Sequence, residues 1–253
     1  MKVPYSYLAQ QYNPDGPLAQ AIFEDFRRLF ADGDFTLGWP VRRLEETAQE
    51  KFNVKHAIGV SNGTDALALS LIAMGFNRAS EWVALPVNTF IATAGAVLQA
   101  GANIRFVDVR GDYLIDKALA YIAPARCVIG VDLTGCPVRW AADDPWLEGK
   151  RYIRDAAQAI GAEVNGISVA NLGEAACFSL HPLKNLNVAG DGGLITTNSD
   201  APQPEFTLCS RACDLREESR HVFVTIPSEY PPLPEGGVVD PHNCAACRNR
   251  VAR

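Results

Sequence analysis

No run in this sequence is long and apolar enough to cross a bilayer, which takes about 20 consecutive apolar residues. The start, Met1 to Gln10, has no basic region followed by an apolar core, so no secretory leader is expected. Positive charge is in deficit. There are 23 Lys and Arg against 29 Asp and Glu, a formal charge of -6, whereas a nucleic-acid backbone demands a basic face. Neither nucleic acid nor membrane is an expected partner. No internal repeat or low-complexity tract is visible. Cysteine amounts to seven scattered residues. Cys127, Cys136 and Cys177 stand in apolar, strand-like contexts and read as reduced core thiols, which suits a cytoplasmic compartment. The remaining four form two close pairs, Cys209 with Cys213 and Cys244 with Cys247, near His221 and His242. The stretch between the pairs is longer than a common zinc-ribbon loop, so unpaired thiols are expected there and no metal.

What is present fits a soluble globular protein. A chain of 253 residues, 48% hydrophobic and 21% charged, can bury a full core as one large domain, or as one plus a partial second. Residues 15–31 and 41–52 read as amphipathic helices, with a Gly33–Gly38 turn between them. From His56 onward the pattern alternates. Strands are expected over 56–60, 82–85, 104–109, 127–133, 151–154, 175–180 and 194–197, with helices over 66–74, 89–100 and 116–122. Such alternation implies a mainly parallel sheet covered on both faces, a three-layer α/β fold. Ligands in such sheets sit at the carboxyl ends of the strands. Thr64, Asn88, Thr89, Asp155, Gln158, Ser179 and Lys184 all fall there. Near Ser199 the composition shifts. The alternation stops and seven prolines interrupt the remainder, so residues 1–200 are expected to form the domain and 201–253 an irregular tail.

Three short stretches carry candidate chemistry. The first is Ser61-Asn62-Gly63-Thr64-Asp65 between a strand and a helix. This arrangement either points free backbone N–H groups at an anion or is an ordinary N-capped helix. The second is Asp155-Ala156-Ala157-Gln158. A strand-end carboxylate can pair with a protonated pyridine nitrogen, or cap a helix over 156–160. The third is the strand 175–180, broken by Pro182 and followed by Lys184 and the Gly190-Asp191-Gly192-Gly193 turn. A desolvated lysine there is a usable nucleophile towards carbonyls; the alternative is a plain loop lysine beside a glycine turn. An aldehyde-binding lysine, a pyridinium partner and a phosphate-binding helix start together suit pyridoxal 5′-phosphate.

These stretches also resemble a known family, the DegT/DnrJ/StrS sugar aminotransferases of the aspartate aminotransferase fold. The matching segments are 33–38, 61–67, 86–93, 155–162, 178–185 and 190–193, in the family's order over roughly residues 1–200. The resemblance implies that Lys184 carries the Schiff base and shuttles the proton, and that Asp155 pairs with the pyridine nitrogen. It implies that Gln158 bonds the ring-hydroxyl side, that Phe90 stacks on the ring, and that Gly63, Thr64 and Ser179 hold the phosphate, with His181 and Asn185 flanking the lysine. It implies transfer of an amino group from an amino acid donor, glutamate by family habit, to a nucleotide-linked keto-sugar. A homodimer is implied too, its interface helped by Leu18, Ile22, Phe26, Leu29 and the loop at Phe35 and Leu37.

The chain departs from the family pattern in two places. The usual carboxylate before the aspartate is Arg154 here, and residues 201–253 show no counterpart of the family's C-terminal domain. The latter suggests a truncated or frame-shifted gene, hence low solubility, weak cofactor retention and an alternative role: a homologue that binds the cofactor or a partner without turnover. A sugar dehydratase is the other alternative. Such enzymes of this family carry histidine in place of the lysine, so Lys184 favours amino transfer.

Overall fold

The computed structural model describes residues 6–140 and 145–199. The expected tail and both of its cysteine pairs lie outside the described residues. A short helix α1 (Leu8–Gln11) precedes two amphipathic ones, α2 (Pro17–Asp32) and α3 (Trp39–Phe52). Each of these two has a proline in its first turn, where the missing N–H costs nothing. Each stops at a left-handed residue, Gly33 after α2 and Asn53 after α3. Ile22 and Leu29 of α2 are spent inside the chain rather than offered to a partner, whereas Phe30, Phe35 and Leu37 are exposed.

The central sheet has seven strands: β1 (His56–Val60), β2 (Trp82–Pro86), β3 (Asn103–Val107), β4 (Cys127–Val131), β5 (Arg151–Asp155), β8 (Ala175–Ser179) and β9 (Gly193–Thr197). Their order is β1-β9-β8-β5-β4-β2-β3. All run parallel except β9, which pairs antiparallel with both neighbours. A small hairpin, β6 (Glu163–Val164) and β7 (Ile167–Ser168), was not expected. Its turn is Asn165-Gly166, both at positive φ, the signature of a two-residue hairpin.

Side chains alternate across the sheet, so odd and even positions of β5 face different layers. One face packs on α4 (Gly63–Ala73) and α5 (Ile91–Ala100), through Val83, Leu85, Ile129, Ile153 and Ile195. α4 is apolar all round, with residues 66–71 buried without a break, so it is a core helix rather than a surface one. The other face carries Ala84, Val128, Tyr152, Ala176 and Phe178. It is covered by α3 and by the segments around α6 (Lys117–Ile122) and Trp140. The three-layer α/β fold is thus present.

Several strand ends differ from expectation, β3 among them, which stops at Val107 rather than running to 109. β4 stops at Val131 rather than running to 133, because Asp132 turns its carboxylate to the Val138 N–H (2.7 Å) and to Arg154. Cys127 and Cys177 are buried core thiols, but Cys136 is half-buried in the loop after β4 rather than in a strand.

Candidate active site

At the carboxyl ends of β4, β5 and β8 lies a cavity of about 510 Å³, a size ordinary for small-ligand sites. Its lining brings together Gly63, Thr64, Phe90, Asp155, Gln158, Ser179 and Lys184, and adds His181, Asp191 and Leu133. Asn88, Thr89 and Asn185 do not line it. Phe90 stands at the rim and is largely exposed.

The N-terminal turn of α4 forms one wall. The first N–H groups of a helix have no partner within it. Asn62 caps the helix by accepting the Asp65 N–H at 2.8 Å, and Gly63 and Thr64 open onto the cavity. A Cβ on Gly63 would stand 2.8 Å from the Ser179 Cβ, closer than side-chain carbons approach. Glycine therefore lets the helix start and the end of β8 close together into a cup of N–H and hydroxyl donors. The opening turn of β9 is equally tight: a Cβ on Gly193 would collide with the Asn62 carbonyl. These features suit an anion such as a phosphate group.

Asp155 ends β5 on the α4/α5 face. Its carboxylate is buried and held from both sides. Thr93 Oγ1 donates to Oδ2 at 2.7 Å, and the Ala157 N–H donates to Oδ1 at 3.2 Å. The Thr93 hydrogen is spent on the carboxylate, so the 2.7 Å contact between the Thr89 and Thr93 hydroxyls has Thr89 as donor. Thr89 thus serves the site through Thr93. Burial pushes the Asp155 carboxyl above its ordinary value; the Thr93 and Ala157 bonds and Lys184 pull it back. No helix follows Asp155: residues 156–160 are turns, so the helix-cap alternative falls away.

Lys184 sits in the turn after β8, its N–H bonded to the His181 carbonyl at 2.8 Å. It is half-buried. Burial lowers its ammonium pKa from 10.5, and Asp155 opposes the shift. The sign follows from linkage: the folded chain holds this proton less tightly than the unfolded chain. The loss of the proton therefore costs nothing extra, and this group's contribution to stability grows as pH rises from its folded value towards 10.5. Competitive acetylation of the full chain, mapped at the peptide containing Lys184, should show its amine becoming reactive at lower pH than a lysine model peptide. Equal midpoints would remove the desolvated nucleophile from this site.

Arg154 points to the opposite face of β5 and does not enter the cavity. It is fully buried against Asp132, with Nη1 donating to both carboxylate oxygens at 2.9 and 2.8 Å. Sequence reasoning missed Thr93 and Asp132. Thr93 lies four residues after Thr89, and on the helix expected over 89–100 that spacing would carry two hydroxyls to one face, although the helix begins at Ile91; the Asp132 pairing has no local signal.

Among the described residues no group of His, Cys, Asp and Glu is placed to hold a metal, and no helix is long and apolar enough to cross a membrane.

Comparison with known proteins gives a consistent picture. Residues 18–224 match the model of the DegT/DnrJ/EryC1/StrS aminotransferase family. The chain is 41% identical over 192 residues to the UDP-N-acetyl-3-dehydro-alpha-D-glucosamine 3-aminotransferase of Acidithiobacillus ferrooxidans, covering 72% of this chain and 50% of that protein. Its fold resembles S. venezuelae DesV, solved in complex with a ketimine intermediate, at a TM-score of 0.75 and 29% identity, covering 88% of this chain and 61% of that one. It also resembles Bacillus subtilis NtdA, solved with bound cofactor PMP, at a TM-score of 0.69 and 26% identity, covering 81% and 47%. The chain spans about half the length of the curated relatives it matches.

Proposed function

We propose that this chain, which belongs to the DegT/DnrJ/EryC1/StrS aminotransferase family, holds pyridoxal 5′-phosphate in the cavity between Lys184 and Asp155. There it moves an amino group from an amino acid donor, glutamate, to a nucleotide-linked keto-sugar. The observation that carries the reading is the shared cavity. A half-buried lysine, a buried carboxylate fixed by two donors, and a donor cup tightened by Gly63 all face one space. The donor set fits the group: the cup takes the phosphate, the carboxylate takes a protonated ring nitrogen, and the amine takes the aldehyde.

When bound, the cofactor supplies an electron sink for carbanion chemistry. The chain supplies the rest. The Lys184 amine, partly stripped of water, would be the group that holds the aldehyde and that takes and returns a proton at the reacting carbon. Asp155, whose charged form the Thr93 hydroxyl and the Ala157 N–H favour against burial, would hold the ring nitrogen protonated. Gln158 and Phe90 both line the cavity, where Gln158 would bond the ring hydroxyl and Phe90 would stack on the ring. Gly63, Thr64 and Ser179 hold the phosphate. The nucleotide-linked keto-sugar is supported by the UDP-sugar enzyme among the relatives. A homodimer is supported by the exposed Phe30, Phe35 and Leu37, apolar surface that association would cover.

Borohydride reduction of the protein loaded with pyridoxal phosphate, followed by peptide mapping, should place the label on Lys184. Two other lysines offer a control. Lys117 Nζ donates to the Arg139 carbonyl at 2.9 Å, and Lys150 Nζ to the Ala123 and Ala125 carbonyls at 2.8 and 2.6 Å. Neither lines the cavity. A label on either would overturn the assignment.

A further inference from the structure

We infer that Asn187 is a positioning residue: it pins the loop that presents Lys184 to the N-terminal segment Tyr7–Tyr12. Its role in catalysis rests on Lys184 being the cofactor's lysine.

Asn187 lies three residues beyond Lys184 and is only 7% exposed. Its amide is used on every side. Nδ2 shares its two hydrogens among three acceptors, the Lys184 carbonyl at 3.1 Å, the Tyr7 hydroxyl at 3.2 Å and Gln11 Oε1 at 3.4 Å. Oδ1 accepts from Tyr12 Oη at 2.7 Å and from Gln11 Nε2 at 3.0 Å. The Tyr7 hydroxyl also reaches the Lys184 carbonyl at 3.5 Å, so the same carbonyl is approached from two sides. These partners stand about 175 residues away along the chain. Nothing in the helical or sheet ladders requires them to meet here. Both sides of the knot are otherwise loosely held: α1 is a single turn with no buried residue, and residues 181–187 belong to no helix or strand.

A lysine in a loop keeps its amine away from water only while the loop keeps its place. The next fixed points are the Val188 N–H bond to the Leu180 carbonyl at 2.9 Å and the turn bond of Lys184 itself. Asn187 is the side chain that ties the backbone between them to a distant element. Released from it, Lys184 can swing outward and regain its water. The titratable groups facing the lysine are Asp155, Asp132, His181 and Asp191 in the cavity lining, and Tyr7 at its carbonyl. Only Tyr7 among them touches the Asn187 amide; the four groups of the cavity lining keep their contacts when it is removed, so a change in the behaviour of Lys184 reports its position.

The test is competitive acetylation of the full chain from about pH 7 to about pH 11, a range that brackets lysine titration, read at the peptide containing Lys184. It needs no cofactor. Asn187→Ala is expected to move the Lys184 midpoint upward by about one pH unit, a tenfold loss of free amine at neutral pH. Tyr12→Phe removes one outer hydroxyl and should shift the midpoint the same way by less. It also serves if Asn187→Ala does not fold. Asn187→Gln keeps the amide but displaces it, and should not rescue. Pyridoxal phosphate attachment, followed by absorbance, should slow in the same order. If Asn187→Ala or Tyr12→Phe lowers the thermal midpoint while the Lys184 titration stays at its wild-type position, Asn187 is a packing residue only and the inference fails. Should the shifts appear but the borohydride label fall elsewhere, the cofactor assignment fails and the positioning of Lys184 stands.

Discussion

If Asp155 pairs with the cofactor's ring nitrogen as proposed, replacing it with asparagine is expected to slow the proposed half-reaction with an amino acid donor, tested with glutamate, by about 100-fold to 1,000-fold, the loss typical of one charged contact in a buried site, ~3–4 kcal/mol of barrier. The reason lies in what an amide cannot do. Asparagine can still accept from Thr93, but its Nδ2 cannot also accept the Ala157 N–H, and no face of it carries the charge that keeps a ring nitrogen protonated. The electron sink then weakens just where it is used.

The same substitution should leave the cofactor-free protein as stable as before, or more so. Burial holds the Asp155 carboxyl above its ordinary value, so the folded chain binds this proton more tightly than the unfolded one. Its contribution to stability is complete below the unfolded pKa and is lost as pH rises through the folded value. Above its folded pKa the ionised carboxylate is therefore a burden that the neutral amide does not carry. Scanning calorimetry on the cofactor-free pair and a stopped-flow half-reaction on the loaded pair separate the roles. A wild-type half-reaction in Asp155→Asn would exclude the pyridinium partner. A lower thermal midpoint with normal chemistry would make Asp155 a structural group.

How the sequence announces this site explains which parts of it are legible in advance. The alternation from His56 to Thr197 encodes a three-layer sheet because parallel strands are buried on both faces and read as unbroken apolar runs, as in Cys127–Val131. The strand ends follow, and with them Lys184, Asp155 and the Gly63 cup, since each sits next to a proline, a glycine or a polar residue that stops the run. Other features are less legible, and their causes differ. The β6–β7 hairpin carries a local signal, Asn165-Gly166, in a stretch too short for periodicity to register. Thr93 and Asn187 owe their roles to partners 62 and about 175 residues distant, which only the folded chain brings near. Ile22 and Leu29 sit on the apolar stripe expected of α2. Periodicity locates such a stripe but does not say whether the chain itself or a second copy covers it. Arg154 is read from sequence as a departure beside the functional aspartate. Strand alternation puts the two side chains on opposite faces, so Arg154 itself does not line the cavity and meets it only through Asp132.

Arg154 is nonetheless the residue whose loss should cost the most stability. Arg154→Met is expected to destabilise the chain by about 3–5 kcal/mol, a large part of the stability of an ordinary domain. The guanidinium is fully buried and all five of its N–H groups are occupied. Two reach Asp132, two reach the Val138 and Trp140 carbonyls at 2.7 and 3.0 Å, and Nε reaches the Leu172 carbonyl at 3.2 Å. Removing it takes the counter-charge from a buried carboxylate and the donor from the Leu172 and Trp140 carbonyls, and leaves the Val138 carbonyl only the Trp140 N–H. Asp132 would answer by taking up a proton. Burial already drives its carboxyl above the usual range and Arg154 pulls the other way, so without Arg154 the shift grows. The variant should therefore recover stability as pH falls, which urea titrations at neutral and mildly acidic pH would show. Adding Asp132→Val should restore part of the loss by removing the lone charge, yet not all of it, because the Val138 N–H and the Trp140 and Leu172 carbonyls lose their partners, while the Val138 carbonyl keeps only the Trp140 N–H. The chain after β4 is anchored by this pair, and Asp132 and Leu133 line the cavity, so cofactor affinity should fall together with stability. A double-mutant cycle that gives no coupling between positions 132 and 154 would mean that the loop after β4 is held by its apolar contacts, Trp140 against Tyr152 at 5.4 Å chief among them.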